Sequence, residues 1–306
     1  LVRFQGGDQG MEGMLDTALA ACGIKSRNSD HLTMGYARLS AGRTSVIIDA
    51  GPPATGNASY NAHASTLAFE LTSGRRPLIV SCGSGAHLGP DWHRAGRATP
   101  SHSTLCLGGY SSARLGKSVK TSGVYRELLV EAPKIVPVEM SQTAEGVKFE
   151  GAHSGYVPPF GLTHARKLSL SLDGRSLAGE DLLIALDDTA GNAGETVLSD
   201  DINPNVDFQI RFHLHPEVDA ALDLGGTTVA IAAKSGEIWI FRHESKLSLT
   251  IEPGVYLEKN QPIPRSSRQI VLSGMVNDAL TRAQWSLSKT QDTAMAIRDL
   301  RLEELR

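Results

Sequence analysis

The sequence is dominated by short segments in which apolar and polar residues alternate. Residues 147–153 and 165–174 show this pattern, and the second segment ends in the pair Asp173-Gly174. A period of two places the apolar side chains on one face of a β-strand, and Asp-Gly is a frequent tight hairpin turn. Such segments follow one another over residues 33–288 with almost no helical pattern between them. The sequence therefore predicts a mainly β fold, a large antiparallel β-sandwich of two sheets.

Helical patterns are confined to the two ends of the chain. Residues 8–22 place apolar side chains at helical spacing and precede Gly23, a typical residue beyond a helix C-terminus. The last residues change to a charged, leucine-containing helical pattern. We therefore divide the chain into a short N-terminal helical segment (1–30), a β-sandwich domain (31–288) and a C-terminal helical tail (289–306).

Composition and charge bear on several classes of protein. The net charge is −3, with Lys and Arg scattered along the 306 residues, so nothing favours nucleic-acid binding. No apolar run approaches the length of a membrane-spanning helix. The three cysteines lack the spacing of a disulfide framework. The acidic residues 186–205 predict a long surface loop. No signal peptide is recognisable near Leu1, which leaves export undecided.

Polar residues stand at the ends of three predicted strands between residues 60 and 107. Alternation from Ala62 to Leu71 predicts a strand with His63 on its inward, apolar face. A second strand ends at Ser81 and Cys82, and His102 opens a third. Neighbouring strands would bring these side chains together at one end of a sheet. The spacing has no metal signature, so the residues alone favour histidines that hydrogen-bond within the core.

Several segments, in order, resemble the β-domain of heparinase II/III-like polysaccharide lyases, a family that includes alginate lyases. The central segments are NAHASTLAFEL, IVSCG and RATPSHSTL, and the similarity extends to GYARLSAGRTSVIIDAGPP upstream and to GAHSGYVPPFGLTHARKLSLSLDG and RFHLHP downstream. The resemblance covers most of residues 30–290 and implies a large, supersandwich-like antiparallel domain. It also implies that the N-terminal helical segment is a remnant of a preceding helical toroid.

The resemblance implies a structural zinc ion and a position that neutralises the substrate carboxylate. His63 and His102 match two family zinc ligands. Ser81 stands where the family has a metal-binding aspartate, with Cys82 beside it as a better zinc ligand than a hydroxyl. Asn61 stands at the carboxylate-neutralising position, where the family has histidine. These departures from the family pattern point to a divergent member, or to one with altered or lost activity.

Three further groups of residues are candidates for a functional site. Trp92, Arg94 and Arg97 lie in a predicted irregular segment and suit an acidic sugar, because arginine pairs with carboxylates and an aromatic ring can lie against a sugar face. A solvated loop with an anchoring tryptophan fits this segment equally well. Residues 153–166 contain polar side chains that we interpret as mostly structural: His153, Tyr156, His164 and Arg166. His213 and His215 share one face of a predicted strand and are a second, less favoured candidate for a pair of metal ligands.

The resemblance leaves three functions open. The first is a domain of a bacterial lyase that cleaves a uronate-containing polysaccharide by β-elimination, with the catalytic tyrosine on a separate helical domain, so that this chain alone is inactive. The second is a non-catalytic sandwich for carbohydrate binding or assembly, and the third is a metal-dependent hydrolase built on His213 and His215. The first implies an acidic polysaccharide as partner, a periplasmic or secreted location, and compatibility with a homodimer. Neither nucleic acid nor a membrane is expected as a partner.

Overall fold

A computed structural model describes residues 32–74, 76–121, 123–185, 206–244, 246–259 and 261–291, together with Thr17 and Ala21. The predicted N-terminal helix lies outside the described residues except for Thr17 and Ala21, which are both helical. The predicted loop 186–205 and the tail beyond residue 291 lie outside them as well. Within the described part, no helix has the length and apolar character needed to cross a membrane.

The described residues are mostly β-strands joined by short connections. The strands are β1 (Tyr36–Ala41), β2 (Thr44–Asp49), β3 (Phe69–Ser73), β4 (Arg76–Val80), β5 (Leu105–Leu107), β6 (Arg114–Thr121), β7 (Val124–Glu131), β8 (Val138–Gln142), β9 (Gly146–Tyr156), β10 (Leu162–Ser171), β11 (Ser176–Ala185), β12 (Val206–Leu214), β13 (Val218–Asp223), β14 (Thr228–Ala233), β15 (Ile238–His243), β16 (Ser248–Tyr256), β17 (Arg265–Val276) and β18 (Leu280–Gln291). Two short α-helices are α1 (Pro90–Arg97) and α2 (Val157–Phe160), and 3-10 turns cover Gly56–Asn61, Ala86–Leu88, Thr99–Ser101 and Leu224–Gly226.

The strands form two large sheets and one separate hairpin, and the strand pairs among the described residues are antiparallel. The first sheet has eight strands in the order β1-β2-β3-β4-β12-β17-β16, with β5 pairing to β12. The second has eight strands in the order β13-β14-β15-β18-β11-β10-β9-β8. Strands β6 and β7 form a two-stranded sheet of their own. The predicted two-sheet antiparallel sandwich is confirmed.

The core lies between the two large sheets and is centred on four aromatic rings. Phe69 and Phe212 come from the first sheet, and Phe241 and Trp285 come from the second. Phe69 stacks on Trp285 with ring centroids 5.5 Å apart, and Phe212 meets both Trp285 and Phe241 edge-on at 4.8 Å. Such offset and edge-to-face contacts are favourable arrangements of aromatic rings, so they help to hold the sheets together.

Two local predictions are wrong. The strand predicted from Ala62 begins only at Phe69, because residues 62–68 are buried on both sides and form an irregular segment. Alternation in this segment therefore does not mark a strand with one buried and one solvent-exposed face. The segment predicted to be irregular around Trp92 contains helix α1, which opens with Pro90 at a position where proline is well tolerated.

Candidate functional site

The buried segment 62–68 is held by backbone bonds to two other parts of the chain. The Ala64 amide donates to the Arg97 carbonyl at 2.8 Å, and the Leu67 amide donates to the Asp49 carbonyl at 2.8 Å. Leu67 has a φ of 65°, an uncommon value for a branched residue that surrounding contacts must stabilise. This segment carries His63 into the interior without a strand.

Three predicted site residues meet in a buried hydrogen-bonded chain. His63 Nδ1 lies 3.2 Å from His102 Nε2, and His102 Nδ1 lies 3.1 Å from Ser81 Oγ. All three side chains are buried, with exposed fractions of 1% or less. The Ser81 amide also donates to Glu70 Oε1 at 3.3 Å, which fixes the serine at the end of β4. The sequence thus placed these three residues together correctly; we refer to them as the histidine chain.

Both rings of the histidine chain are neutral at physiological pH. Burial lowers the pKa of His102 to about 3, and the nearby His213 adds to this shift. The pKa of His63 is also far below its usual value, because of burial first and then the neighbouring His102 and Arg97. A buried neutral ring has one donor and one acceptor nitrogen, which suits a chain of bonds but supplies no fixed charge.

Cys82 points away from the histidine chain. Its thiol lies 3.4 Å from His213 Nδ1, and His213 Nε2 lies 2.8 Å from the Pro100 carbonyl oxygen. Since a carbonyl can only accept, His213 carries its proton on Nε2 and accepts the thiol proton at Nδ1. Burial raises the pKa of the Cys82 thiol to about 12, so the thiol stays protonated at physiological pH.

The donor groups around the histidine chain provide only part of a structural zinc site. Two nitrogens of a tetrahedral zinc site lie roughly 3.3 Å apart, so the 3.2 Å between His63 and His102 is compatible with two ligands. Ser81 contacts the opposite nitrogen of His102, and Cys82 contacts His213. No group of three or more His, Cys, Asp or Glu side chains is placed to hold a metal ion in the described ranges. Because structural zinc sites use four protein ligands, this donor set does not fit one.

The candidate substrate-binding residues occupy different environments. Arg97 is buried and donates to the carbonyl oxygens of Ala62, Glu127 and Ser59 at 2.7 to 2.8 Å. Its guanidinium is thus committed to the backbone of this chain. Arg94 is half-exposed and pairs with Glu127 at 2.6 Å.

Trp92 and Asn61 are both half-buried, with Asn61 at the end of a 3-10 turn two residues before His63. The roles predicted for these residues in substrate binding stay predictions.

A second buried polar network lies behind the histidine chain, in the second sheet. The Gly155 amide donates to His153 Nδ1 at 3.1 Å, so the His153 proton sits on Nε2, 3.2 Å from His164 Nδ1. His164 then donates from Nε2 to Asp181 Oδ1 at 2.8 Å. This order of donors and acceptors assigns a single neutral tautomer to each ring. Neutral rings agree with the pKa values of the two histidines, which burial lowers.

Arg166 connects this second network to the histidine chain. It donates to both oxygens of Asp181, at 2.7 and 3.1 Å, and its NH1 group donates to the carbonyls of Leu67 and Ser103. Leu67 follows His63 closely and Ser103 follows His102. Burial alone would raise the pKa of Asp181, but the charge of Arg166 and the bond from His164 outweigh it and hold that pKa below its usual range.

Sequence reasoning recognised His153, His164 and Arg166 as a polar, mostly structural group but missed their partner. The signal for a buried pair was present, because His164 and Arg166 lie at alternate positions of β10, both on its buried face. Asp181 faces that position from β11 through cross-strand pairing with Arg166. That register depends on the hairpin turn between β10 and β11, so the partner follows once the turn at Asp173-Gly174 is placed.

Comparisons with known proteins identify relatives in sequence and in fold. The family model for the heparinase II/III-like C-terminal domain matches residues 25–290. FtsZ-localized protein C of Caulobacter vibrioides is 31% identical over 303 residues, which are 95% of this chain and 49% of that protein. The chain therefore spans about half the length of this relative.

Solved lyase structures share the fold. A mutant of the heparan sulfate lyase HepC from Pedobacter heparinus aligns with a TM-score of 0.65 and 14% identity, over 92% of this chain and 40% of that chain. A heparinase III structure aligns with a TM-score of 0.64 and 14% identity, over 93% of this chain and 40% of that chain. At such low identity these likenesses show the fold alone.

Proposed function

Because this chain belongs to the family of heparinase II/III-like C-terminal domains, we propose that it binds an acidic polysaccharide without cleaving it. The observation that carries the proposal is the neutral, buried histidine chain. Polysaccharide β-elimination needs a group that neutralises the uronate carboxylate, a base for the sugar C5 proton and an acid for the leaving oxygen. Among the described residues near His63, the half-exposed Arg94 is already paired with Glu127, and the buried rings of His63 and His102 are neutral and inaccessible to a substrate.

The cations and titratable groups of the site support a structural role. Arg97 satisfies backbone carbonyls, and Arg94 is paired with Glu127. The rings of His63 and His102 are neutral, and the Cys82 thiol stays protonated. Groups whose pKa values lie so far from neutrality exchange protons poorly at physiological pH. The histidine chain therefore serves as an internal support for the loops that carry residue 61 and helix α1.

The ligand class follows from the relatives and from the chain's own surface. The solved relatives include a lyase named for heparan sulfate, an acidic polysaccharide. A protein that keeps the sandwich but lacks the catalytic groups would retain recognition of a related polymer. Heparan sulfate and alginate are therefore the first ligands to test.

The experiment combines binding and product formation on one sample of the purified chain. Binding is measured by calorimetry with heparan sulfate and with alginate, and with neutral dextran as the control polymer. Cleavage is followed by the ultraviolet absorbance of the unsaturated uronate that β-elimination creates. We expect binding to at least one acidic polymer and no rise in absorbance; a rise in absorbance, or no binding to either acidic polymer, contradicts the proposal.

A lyase function in a longer protein is the second candidate, favoured by the half-exposed position of Asn61 beside the buried His63. In this case a helical domain supplies the tyrosine, and Asn61 hydrogen-bonds the uronate carboxylate. Zinc at His63 and His102 would be structural here and would need ligands beyond the described donor set. The longer protein would then produce unsaturated uronate, and Asn61→Ala would reduce that rate while leaving the fold unchanged by circular dichroism.

An assembly function is the third candidate, favoured by the relative named as FtsZ-localized. A sandwich of this family would then dock on a protein polymer instead of a polysaccharide. Co-sedimentation of this chain with polymerised Caulobacter FtsZ, together with absent polysaccharide binding, would support this function. If the chain does not sediment with the FtsZ polymer, the assembly function is contradicted.

A further inference from the structure

Positive side chains are concentrated in residues 110–137, in contrast to the even distribution that the sequence as a whole suggested. This stretch contains five Lys or Arg residues and two Glu residues, although the net charge of the chain is −3. It includes β6 and β7, which pair with neither large sheet. The hairpin is anchored to the sandwich by Ser59, whose hydroxyl accepts the Leu129 amide at 2.9 Å, and by Arg97, which donates to the Glu127 carbonyl.

Three lysines in this stretch are uncompensated. Arg114 is paired with Glu131, and Arg126 lies over the ring of Tyr60 with 4.2 Å to its centroid. Lys117, Lys120 and Lys134 are exposed, and in the part of the chain that is described none of them lies within ion-pair distance of a carboxylate. Ammonium groups in this state are available to carboxylate or sulfate groups of a ligand.

Two exposed tyrosines accompany the lysines. Tyr125 is 71% exposed and pairs across the hairpin with Lys120, whose ammonium lies 6.0 Å from the ring centroid. Tyr110 is 56% exposed, and its ring is held edge-on by Phe160 at a centroid distance of 5.3 Å. Exposed aromatic rings with a polar tip are common recognition groups, and their flat faces suit the apolar face of a sugar ring.

A groove lies at the base of the hairpin. It has a volume of about 820 Å³, and Tyr110, Arg114 and Lys134 contribute to its walls. Its other walls include three serines, Ser111, Ser112 and Ser154, and two prolines, Pro158 and Pro159. Hydroxyl and backbone groups of this kind can exchange hydrogen bonds with sugar hydroxyls.

We infer that an acidic polysaccharide binds along the basic hairpin surface, which consists of Tyr110, Lys117, Lys120, Tyr125 and Lys134. Carboxylate or sulfate groups of the polymer pair with the three lysines, and sugar rings lie against the two tyrosines. This inference rests on the proposed function and names the surface that performs it. Recognition thus uses exposed residues of the hairpin and its groove instead of the buried histidine chain.

The experiment compares two triple variants of equal charge change. Lys117→Glu/Lys120→Glu/Lys134→Glu reverses the lysines of the basic hairpin surface. Lys167→Glu/Lys234→Glu/Lys246→Glu reverses three exposed lysines elsewhere and is the matched control. Binding of each to heparan sulfate and alginate is measured by calorimetry, and unchanged circular dichroism spectra verify folding.

We expect the hairpin variant to bind at least about tenfold more weakly than the wild-type chain, because three ion pairs become repulsive contacts. The control variant should lose less than about threefold, since screening limits charges farther than roughly 10 Å from the polymer. Tyr110→Ala should also weaken binding, and its effect should persist at high salt.

The outcomes separate this inference from the proposed function. A wild-type chain that binds neither polymer contradicts the proposed function. If the wild-type chain binds and the two triple variants lose binding equally or not at all, the proposed function stands and the assignment of binding to the basic hairpin surface is wrong. Equal binding to vesicles of anionic phospholipid or to duplex DNA overturns the assignment of a polysaccharide to this surface.

Discussion

Removing the carboxylate of Asp181 should destabilise the protein more than almost any other single change in the second sheet. The substitution Asp181→Ala removes the acceptor of four bonds, two from Arg166 and one each from His164 and Trp285, at distances of 2.7 to 3.1 Å. The side chains of Asp181 and Arg166 are both fully buried. The guanidinium would then remain in the interior without a counter-charge.

The magnitude follows from the cost of an unpaired buried charge. Breaking a buried ion pair by removing one partner costs about 3 to 5 kcal/mol, and we expect the free energy of unfolding to fall by that amount. The matched control is Glu150→Ala, which removes an exposed pair with Lys167 at 3.4 Å. Exposed pairs contribute about 1 kcal/mol or less, so the control should change little.

Urea unfolding, followed by far-ultraviolet circular dichroism, measures both variants. A loss below about 1 kcal/mol in Asp181→Ala would show that the buried pair is not what stabilises this region. If that variant does not fold, Asp181→Asn serves instead, because it keeps the shape and one acceptor while removing the charge. A double variant, Arg166→Met/Asp181→Leu, should lose much less than the two single changes together, since it leaves no buried charge.

Three other predictions concern the groups around the histidine chain. Burial lowers the pKa of His102 to about 3 and that of His213 to about 4, so on acidification the unfolded chain takes up protons at a higher pH than the folded chain. The free energy of unfolding should therefore be largest above about pH 6.5 and fall as the pH is lowered towards 4. Urea titrations at a series of pH values measure this, and no loss of stability at low pH would contradict it. The substitution Ser81→Asp adds a carboxylate beside His102 Nδ1, on the side of the ring away from His63, so the zinc content measured by mass spectrometry should stay at the wild-type level; a gain in zinc that a further His63→Ala change abolishes would contradict this. Burial raises the pKa of Asp49 to about 7, so Asp49→Asn should become more favourable relative to the wild type as the pH rises from 4 to 8, and a constant difference would contradict this.

The sheets could be predicted from the sequence because each strand carries its own signal. Alternation in β10 and the Asp173-Gly174 turn indicate both the strand and its hairpin partner, and the structure has them paired antiparallel. The meeting of His63, Ser81 and His102 was also predictable, since each stands next to a strand of the same region. The path was not: His63 reaches the centre through a buried irregular segment that includes a left-handed Leu67.

The remaining features depend on contacts between distant parts of the chain. Cys82 and Ser81 are adjacent, and only the placement of His213 and His102 decides which of the two faces the histidine chain. The sequence around Arg97 predicts an exposed cation in a loop. In the structure helix α1 directs this side chain inward, where it donates hydrogen bonds to three carbonyl oxygens. Local patterns do not record such long-range partners, so the sequence did not show that Arg97 donates to three backbone carbonyls.

The protonation of the buried histidines tests the structural role of the histidine chain most directly. Long-range nitrogen-proton NMR correlations on the ¹⁵N-histidine-labelled chain distinguish neutral rings, their tautomers and imidazolium ions. We expect His63 and His102 to stay neutral between pH 5 and 8, with His213 and His153 protonated on Nε2. An imidazolium signal from His63 or His102 near pH 6.5 would contradict the structural role, because a ring that titrates there is available for proton transfer.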